Sequence, residues 1–186
     1  MEILMNKKLL TPLSCLILGA SVLLCACGEK QEAPPPKAAV DQLAPRYEST
    51  LAEGIVFNKP GYPSFLVDVV GVSNVDPWGR WTDGPTVKFR FNKPLPKKFG
   101  IELYANAFGP NEGKPITIRA GNVERAITIK NDPNYAINIA TFDDVASDTI
   151  EIIPPNPISP KELDPKSGDI RKLGLGLVSL KIRTVE

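Results

Sequence analysis

The stretch Thr86-Val87-Lys88-Phe89-Arg90-Phe91 decides the fold class of this chain. Apolar and polar residues alternate along it, so an extended backbone would place Val87, Phe89 and Phe91 on one face and the polar residues on the other. This pattern is typical of a strand in an antiparallel sheet, with one face in the core and the other in water. The sequence therefore predicts a half-buried strand over residues 86–91.

The same alternation recurs over residues 101–108. One face of this second predicted strand holds Ile101, Leu103, Ala105 and Ala107, and the other holds Glu102, Tyr104, Asn106 and Phe108. The other candidate strands cover residues 54–57, 65–72, 115–120, 124–130, 135–142, 149–153 and 173–183. Turn signals separate them, and Gly121-Asn122 between two isoleucine-containing runs is the best hairpin signal. About nine short strands without a convincing helical period predict an all-β fold, an antiparallel β-sandwich of the jelly-roll type.

The N-terminus resembles the signal peptide of a bacterial lipoprotein. Lys7 and Lys8 precede an uncharged, mostly apolar run that ends in Leu24-Cys25-Ala26-Cys27. The small Ala26 before Cys27 is similar to the lipobox, in which the cysteine is acylated and becomes the first residue of the mature chain. We therefore predict a signal peptide over residues 1–26 and lipid attachment at Cys27.

A transmembrane helix is the alternative for this run. Thr11, Pro12 and Ser14 leave an apolar core of about a dozen residues, whereas a membrane-spanning helix needs roughly 20. Gly28 follows the predicted acylated cysteine in place of aspartate, which in enterobacterial lipoproteins usually indicates export to the outer membrane. The sequence therefore predicts a protein anchored by lipid in the outer membrane of a Gram-negative bacterium, facing the periplasm.

The predicted mature chain has balanced charge and no cysteine chemistry beyond lipidation. Cys15 and Cys25 leave with the signal peptide, so neither a disulfide nor a thiolate metal site remains. Without Glu2, Lys7 and Lys8, the totals of 22 basic and 21 acidic residues become 20 of each. This balance argues against electrostatic capture of nucleic acid or of anionic lipid headgroups. Membrane attachment then depends on the acyl chains.

Composition divides the mature chain into a tether and a domain. Residues 27–53 are rich in Pro, Ala, Glu and Lys and contain little to bury, which is typical of a disordered tether. The remaining 133 residues, 54–186, have the size of one domain and show no internal repeat. We therefore predict a single β-sandwich domain behind a lipidated tether.

The stretch Val75-Asp76-Pro77-Trp78-Gly79-Arg80-Trp81-Thr82-Asp83-Gly84 contains both tryptophans of the chain. An indole face packs on the apolar face of a pyranose, while Arg and Asp side chains hydrogen-bond its hydroxyl groups. The stretch, here called the Trp loop, therefore suits recognition of a sugar or another polyol. The candidate ligand-binding residues are Trp78, Arg80, Trp81, Asp83, Asn106 and Arg171. In the alternative interpretation, an indole closes the end of the sandwich and Arg80 pairs with Asp76 or Asp83.

Composition also limits the catalytic mechanisms. The sequence contains no histidine, which excludes Ser-His-Asp and Cys-His nucleophiles, histidine-ligated zinc and imidazole acid–base steps. Asp143, Asp144 and Asp148 leave two alternatives open, a carboxylate acid–base pair or a structural Ca²⁺. We assign no catalytic residue, cofactor or metal ligand and predict that the protein is not an enzyme.

Several segments resemble, in the same order, the C-terminal periplasmic domain of the phosphoglycerol transferase I enzymes, which decorate osmoregulated periplasmic glucans with phosphoglycerol. They are Gly61-Tyr62-Pro63-Ser64-Phe65-Leu66, Trp78-Gly79-Arg80-Trp81, Ala107-Phe108-Gly109-Pro110-Asn111, Thr149-Ile150-Glu151-Ile152 with Pro154-Pro155, and the run from Arg171 to Leu180. The catalytic domain of that family is metal-dependent, and its Thr nucleophile and His/Asp ligands have no counterpart in this sequence. The resemblance therefore implies a β-sandwich that looks like a carbohydrate-binding module, without transferase activity.

Two functional hypotheses follow. In the first, the chain is a non-catalytic, lipid-anchored envelope protein that binds a periplasmic glucan or another envelope polysaccharide through the Trp loop. In the second, it is a structural or protein-interaction lipoprotein that docks onto an envelope glycan enzyme such as phosphoglycerol transferase. The first predicts exposed indoles and the second predicts buried ones.

Overall fold

The computed structural model describes residues 43, 45–135 and 137–185. The predicted signal peptide, Cys27 and most of the predicted tether lie outside the described residues, so the lipid anchor stays a prediction. No helix among the residues that are described is long and apolar enough to cross a membrane.

The described part of the chain contains twelve strands and one short α-helix. In chain order these are β1 (Arg46–Tyr47), β2 (Ile55–Val56), β3 (Tyr62–Pro63), β4 (Leu66–Val70), β5 (Arg80–Trp81), β6 (Val87–Phe91), β7 (Phe99–Ala107), β8 (Pro115–Ala120), β9 (Val123–Thr128), β10 (Ile137–Phe142), β11 (Thr149–Ile153), α1 (Pro160–Leu163) and β12 (Leu175–Thr184).

Most of the strands form two five-stranded antiparallel sheets. Sheet I has the order β10-β7-β12-β2, with β5 also paired to β12, and sheet II has the order β4-β6-β11-β8-β9. From β6 onward, every connection except the β8–β9 hairpin leads from one sheet to the other. This connectivity is that of a jelly roll, which confirms the predicted antiparallel β-sandwich.

The core lies between the two sheets and follows the predicted alternation. Val87, Phe89 and Phe91 of β6 are buried, and the four predicted apolar residues of β7 are buried as well. The rings of Phe99 and Phe142 stack across β7 and β10 with centroids 5.0 Å apart. Burial of apolar surface, at about 25 cal/mol per Å², is the main term that stabilises such a sandwich.

The Gly121-Asn122 hairpin is confirmed. Strands β8 and β9 pair in antiparallel register up to Ala120 and Val123, which leaves a two-residue turn between them. A two-residue loop with glycine in the left-handed region matches the twist of the flanking strands.

The folded domain begins earlier than predicted. Leu43 is only 5% exposed and belongs to the core, and β1 pairs in parallel with β3. The hydroxyl of Tyr47 accepts a hydrogen bond from the backbone N–H of Val56, and burial raises the pKa of this phenol. The sequence did not indicate that Leu43 and Tyr47 contact the domain, because the surrounding residues 27–53 are rich in proline and charge. Residues 43 and 45–53 therefore belong with the folded domain, ahead of the predicted start at residue 54.

The long loop over residues 154–169 contains a helix that was not predicted from the sequence. Ser159 and Glu162 form a capping box, in which each side chain hydrogen-bonds the backbone N–H of the other residue, and Pro160 occupies the first helical turn. Helix α1 has only four residues, about one turn, so its sequence is too short to show a helical periodicity.

Candidate functional site

Four aromatic side chains meet at the end of sheet I where β12 begins and β7 ends. The rings of Trp78 and Trp81 lie edge to face with centroids 4.9 Å apart, and Trp81 meets Phe108 in the same way at 5.4 Å. The Tyr135 ring is nearly parallel to Trp78, at 6.5 Å and 9°. All four side chains are partly exposed. We call Trp78, Trp81, Phe108 and Tyr135 the aromatic cluster.

A glycine beneath the indoles lets them lie against the sheet. Gly176 of β12 pairs with Trp81 on one side and with Asn106 on the other. A Cβ atom on Gly176 would lie 3.0 Å from the Trp78 ring and 3.2 Å from the Trp81 ring. Because no side chain occupies this position, both rings rest on the outer face of β12.

The Trp loop presents Trp78 at the tip of a tight turn. Asp76 and Gly79 exchange both backbone hydrogen bonds around Pro77 and Trp78, with N···O distances of 2.8 and 3.2 Å. Farther along the loop, the buried Thr82 hydroxyl oxygen accepts hydrogen bonds from Gly174 N and Leu175 N, both at 2.9 Å. This role of Thr82, which ties the loop to the start of β12, was not predicted from the sequence.

Arg80 lies beneath the loop and not beside the indoles. It is 8% exposed and donates to the backbone carbonyls of Phe57, Lys59, Gly61 and Ser73. Its guanidinium also lies over the Tyr62 ring at 4.7 Å. The predicted use of Arg80 for sugar hydroxyls and the alternative ion pair with Asp76 or Asp83 are therefore both corrected. Arg80 ties the Trp loop to the segment over residues 57–61 because its fork of N–H donors matches several carbonyl oxygens.

The other three polar candidates lie near the aromatic cluster but already have partners. Asp83 accepts a 2.9 Å hydrogen bond from the backbone N–H of Lys172. Asn106 exchanges two hydrogen bonds with the backbone of Asp132, at 3.1 and 3.2 Å. Arg171 forms a two-pronged ion pair with Asp169, which raises the pKa of the guanidinium. These side chains position the surrounding loops.

Asn106 and Asn131 together hold the loop that carries Tyr135. Asn131 bridges both backbone groups of Ala107, accepting from its N–H at 2.7 Å and donating to its carbonyl at 3.0 Å. Tyr135 has φ of 57°, a left-handed conformation that is rare for a bulky residue. Such backbone strain persists only where the surrounding structure enforces it, and it concentrates at functional sites.

Tyr135 and Phe108 were absent from the sequence-based candidates. The signal for Phe108 was available, since the alternation of residues 101–108 placed it on the outward face with Asn106. Tyr135 follows a turn at Asn131-Asp132-Pro133, and its direction depends on side-chain anchors from β7. No pattern local to Tyr135 reveals that long-range contact.

The outer face of sheet II has a different chemistry. It carries a ladder of ion pairs in which Lys88 and Arg119 both approach Glu151, at 3.8 and 3.0 Å, and Arg119 also approaches Glu124 at 2.7 Å. Exposed pairs of this kind keep a face solvated and contribute little stability. The aromatic cluster therefore distinguishes sheet I as the face suited to a ligand.

A depression of about 650 Å³ lies at the opposite end of the sandwich. It is lined by Phe91, Leu95 and Val145 with Lys93, Lys97 and Asp148 among its polar residues. It is open and lacks convergent polar groups, so we favour the aromatic cluster as the site. Asp143 and Asp144 are both exposed, and no group of three or more potential metal ligands gathers within the described residues.

The carboxylate of Glu162 provides a test by acid titration. Hydrogen bonds from Lys172 and from Ser159 lower its pKa from 4.5 to about 2. Because the folded-state pKa is the lower one, the stabilisation is complete above about pH 4.5 and is lost as the pH falls through about 2. We expect the melting temperature to be flat from about pH 5 to 8, since the sequence contains no histidine, and to fall below about pH 4.5. Glu162→Gln should make the acid limb measured by circular dichroism less steep, while Asp169 and Glu53, whose pKa values are also lowered, still contribute to it; an unchanged limb would contradict this assignment.

Comparisons with known proteins identify the family of the chain. Residues 40–184 match a protein family described as a domain of unknown function, DUF7024. The chain belongs to the DUF7024 family. The family match begins three residues before Leu43, in agreement with the earlier domain boundary.

Curated relatives of this DUF7024 chain include phosphoglycerol transferase I from several enterobacteria. The protein from Citrobacter koseri is 35% identical over 139 residues, which cover 73% of this chain and 18% of the relative. The protein from Escherichia coli O6:K15:H31 is 36% identical over 135 residues, covering 70% and 17%. The protein from Salmonella paratyphi B is 36% identical over 138 residues, covering 73% and 18%. The predicted resemblance is thereby confirmed, and the chain spans less than a fifth of the length of these relatives.

One solved structure is also similar to the chain. It is an arginine-to-alanine mutant of CBM29-2, studied for ligand recognition by family 29 carbohydrate binding modules. The two proteins share 15% sequence identity and a TM-score of 0.42, over 70% of this chain and 89% of the other.

Proposed function

We propose that this chain is a non-catalytic envelope protein, lipid-anchored through Cys27 in the outer membrane, that binds a periplasmic glucan or another envelope polysaccharide. The observation that carries the proposal is the aromatic cluster, four partly exposed rings gathered on one face of the sandwich. The Trp loop supplies two of the rings, and the elements that follow β7 and precede β10 supply the other two.

The physical argument rests on what these rings would gain by being covered. A pyranose presents C–H groups on its faces, which pack on aromatic rings as the rings pack on each other. Covering one partly exposed ring contributes about 1–2 kcal/mol of binding free energy. Two or three rings together would contribute about 2–6 kcal/mol. The rings are also held in place before any ligand arrives, because Gly176, Thr82 and Asn131 fix the surrounding backbone. Preorganisation of this kind reduces the entropy lost on binding.

The non-catalytic part of the proposal is supported by the side chains around the rings. Asp83, Asn106 and Arg171 are engaged with neighbouring loops, and the sequence contains no histidine to move a proton near neutral pH. The related phosphoglycerol transferases are matched over less than a fifth of their length.

Removal of one indole is expected to weaken glucan binding by about five- to thirtyfold. Trp78→Ala and Trp81→Ala each remove ring surface that a sugar would cover. The expected loss of binding free energy is about 1–2 kcal/mol per ring. The full chain has only two tryptophans, so saturable quenching of its intrinsic fluorescence by purified periplasmic glucans reports on these rings. Isothermal titration calorimetry of each variant gives the change in affinity.

The matched control is Lys88→Ala, on the outer face of sheet II, which should bind glucan as the unchanged protein does. Circular dichroism of each variant establishes that it remains folded. A flat titration of the unchanged protein with every envelope glycan tested, or unaltered affinity in both folded Trp variants, would refute the proposed site.

A second candidate function is docking onto an envelope glycan enzyme. It is favoured by β10, an edge strand of sheet I on which Ile137 and Ile139 are 51% and 64% exposed. Exposed apolar residues on an edge strand are a common feature of protein contacts. Ile139→Arg should abolish co-purification with such an enzyme and leave glucan titrations unchanged, whereas the Trp variants should do the reverse.

A further inference from the structure

Three cations close to the Trp loop are already engaged. Arg171 is held by Asp169, with an N···O distance of 2.6 Å, and Lys172 pairs with Glu162. Arg80 is buried and donates to backbone carbonyls. None of these three groups is therefore available as an unpaired positive charge at the surface beside the rings.

The Trp loop has two carboxylates that no nearby cation among the described residues neutralises. Asp76 precedes Trp78 by two residues and Asp83 follows Trp81 by two. Within the residues that the structure describes, neither acid forms an ion pair, and the carboxylate of Asp76 accepts no hydrogen bond. Both acids lie close enough to Arg171 to interact with it electrostatically, but Arg171 is neutralised by Asp169. The Trp loop therefore brings two carboxylates without an ion-pair partner in the described part of the chain to the aromatic cluster, and we call Asp76 and Asp83 the acidic rim.

We propose that the aromatic cluster selects an uncharged glycan and disfavours the same glycan once it carries an anionic substituent such as glycerol phosphate, with Asp76 as a specificity-determining residue. This inference rests on the proposed function. It places the chain on the acceptor side of a phosphoglycerol-transfer reaction, because the protein would retain the unsubstituted glycan and release the substituted one.

Two physical effects of the acidic rim support this selectivity. A carboxylate is a strong acceptor for the hydroxyl groups of a neutral sugar. The same carboxylate repels a phosphate, and at about 6 Å in a water-exposed setting two unit charges change affinity by about threefold. Two such acids give a preference of about tenfold, and salt should weaken it because the groups are exposed.

The test compares two probes that differ only in charge. The full chain in detergent is titrated with purified periplasmic glucans that either lack or carry glycerol phosphate, at low and at physiological ionic strength. We expect about tenfold tighter binding of the uncharged glucans at low salt and a smaller difference at physiological salt. Equal affinity, or tighter binding of the anionic glucans, overturns this inference and leaves the proposed function standing. Binding of neither probe overturns both.

Asp76→Asn removes the negative charge and keeps a side chain of the same size with one oxygen acceptor. This variant should retain binding of the uncharged glucans within about twofold and reduce the discrimination about threefold. The matched control is Asp148→Asn at the opposite end of the sandwich, which should leave the discrimination unchanged. Full discrimination in the Asp76→Asn variant would show that Asp76 has no part in the selectivity.

Discussion

Replacing Arg80 by methionine is expected to lower the free energy of unfolding by about 3 kcal/mol. The guanidinium satisfies carbonyl oxygens on Phe57, Lys59, Gly61 and Ser73, and methionine fills a similar volume without donating to any of them. Buried acceptors that lose their donor retain the full penalty of desolvation. For a domain of this size the loss corresponds to a melting temperature about 10 °C lower, measured by calorimetry or circular dichroism.

The charge of Arg80 is not the reason for the effect, and two further variants separate charge from geometry. Arg80→Lys keeps the charge but replaces a planar fork by a single ammonium group, so it should recover less than half of the lost stability. Arg90→Met removes an exposed arginine from the outer face of sheet II and should change the melting temperature by no more than about 2 °C. Full recovery in Arg80→Lys would contradict the role assigned to the fork.

Replacing Gly61 by alanine is expected to detach the N-terminal strand and to lower the free energy of unfolding by about 2–4 kcal/mol. Gly61 has φ of 74°, and a Cβ atom there would overlap the carbonyl oxygen of Pro45, immediately before β1. The backbone must move apart at this point, which breaks the hydrogen bond from Tyr62 N to Pro45 O and withdraws Leu43 from the core. Faster amide exchange and proteolysis over residues 43–53 would report the detachment.

Gly113→Ala is the matched control for this substitution. Gly113 has a similar φ of 68°, but a Cβ atom there would have nothing within 4 Å. Alanine at Gly113 therefore carries only the conformational penalty of the left-handed region, about 1 kcal/mol. Equal effects at the two positions would mean that the close approach of Pro45 has no importance.

The fold was predictable because its information is local. Val87, Phe89 and Phe91 alternate with polar residues, and that period survives whichever strand lies next to them. Strand pairing and the division into two sheets were predictable only as a class, since many orders satisfy the same alternation. The parallel β1–β3 pair escaped notice because each strand has two residues, too few for any period.

The site was predictable in its indoles and not in its polar residues. Tryptophan beside arginine and aspartate signals recognition, but the sequence does not reveal on which side of the loop each side chain lies. Arg80 turned inward because nearby backbone carbonyls needed donors, and those carbonyls come from residues about twenty positions away. Tyr135 owes its position to Asn106 and Asn131, again through contacts distant in sequence.

The two-residue strand β1 gives the domain a mechanical property. A pull on the chain from its N-terminal side loads Leu43 and the short β1–β3 pair before it reaches the sandwich. That pair is much weaker than the ten-residue strand β12 at the centre of sheet I. Residues 43–53 would peel away first and add roughly 35 Å of extended chain. Under tension, a domain with the proposed lipid anchor would thus lose the β1–β3 pair first, and this pair can form again. The aromatic cluster would stay intact.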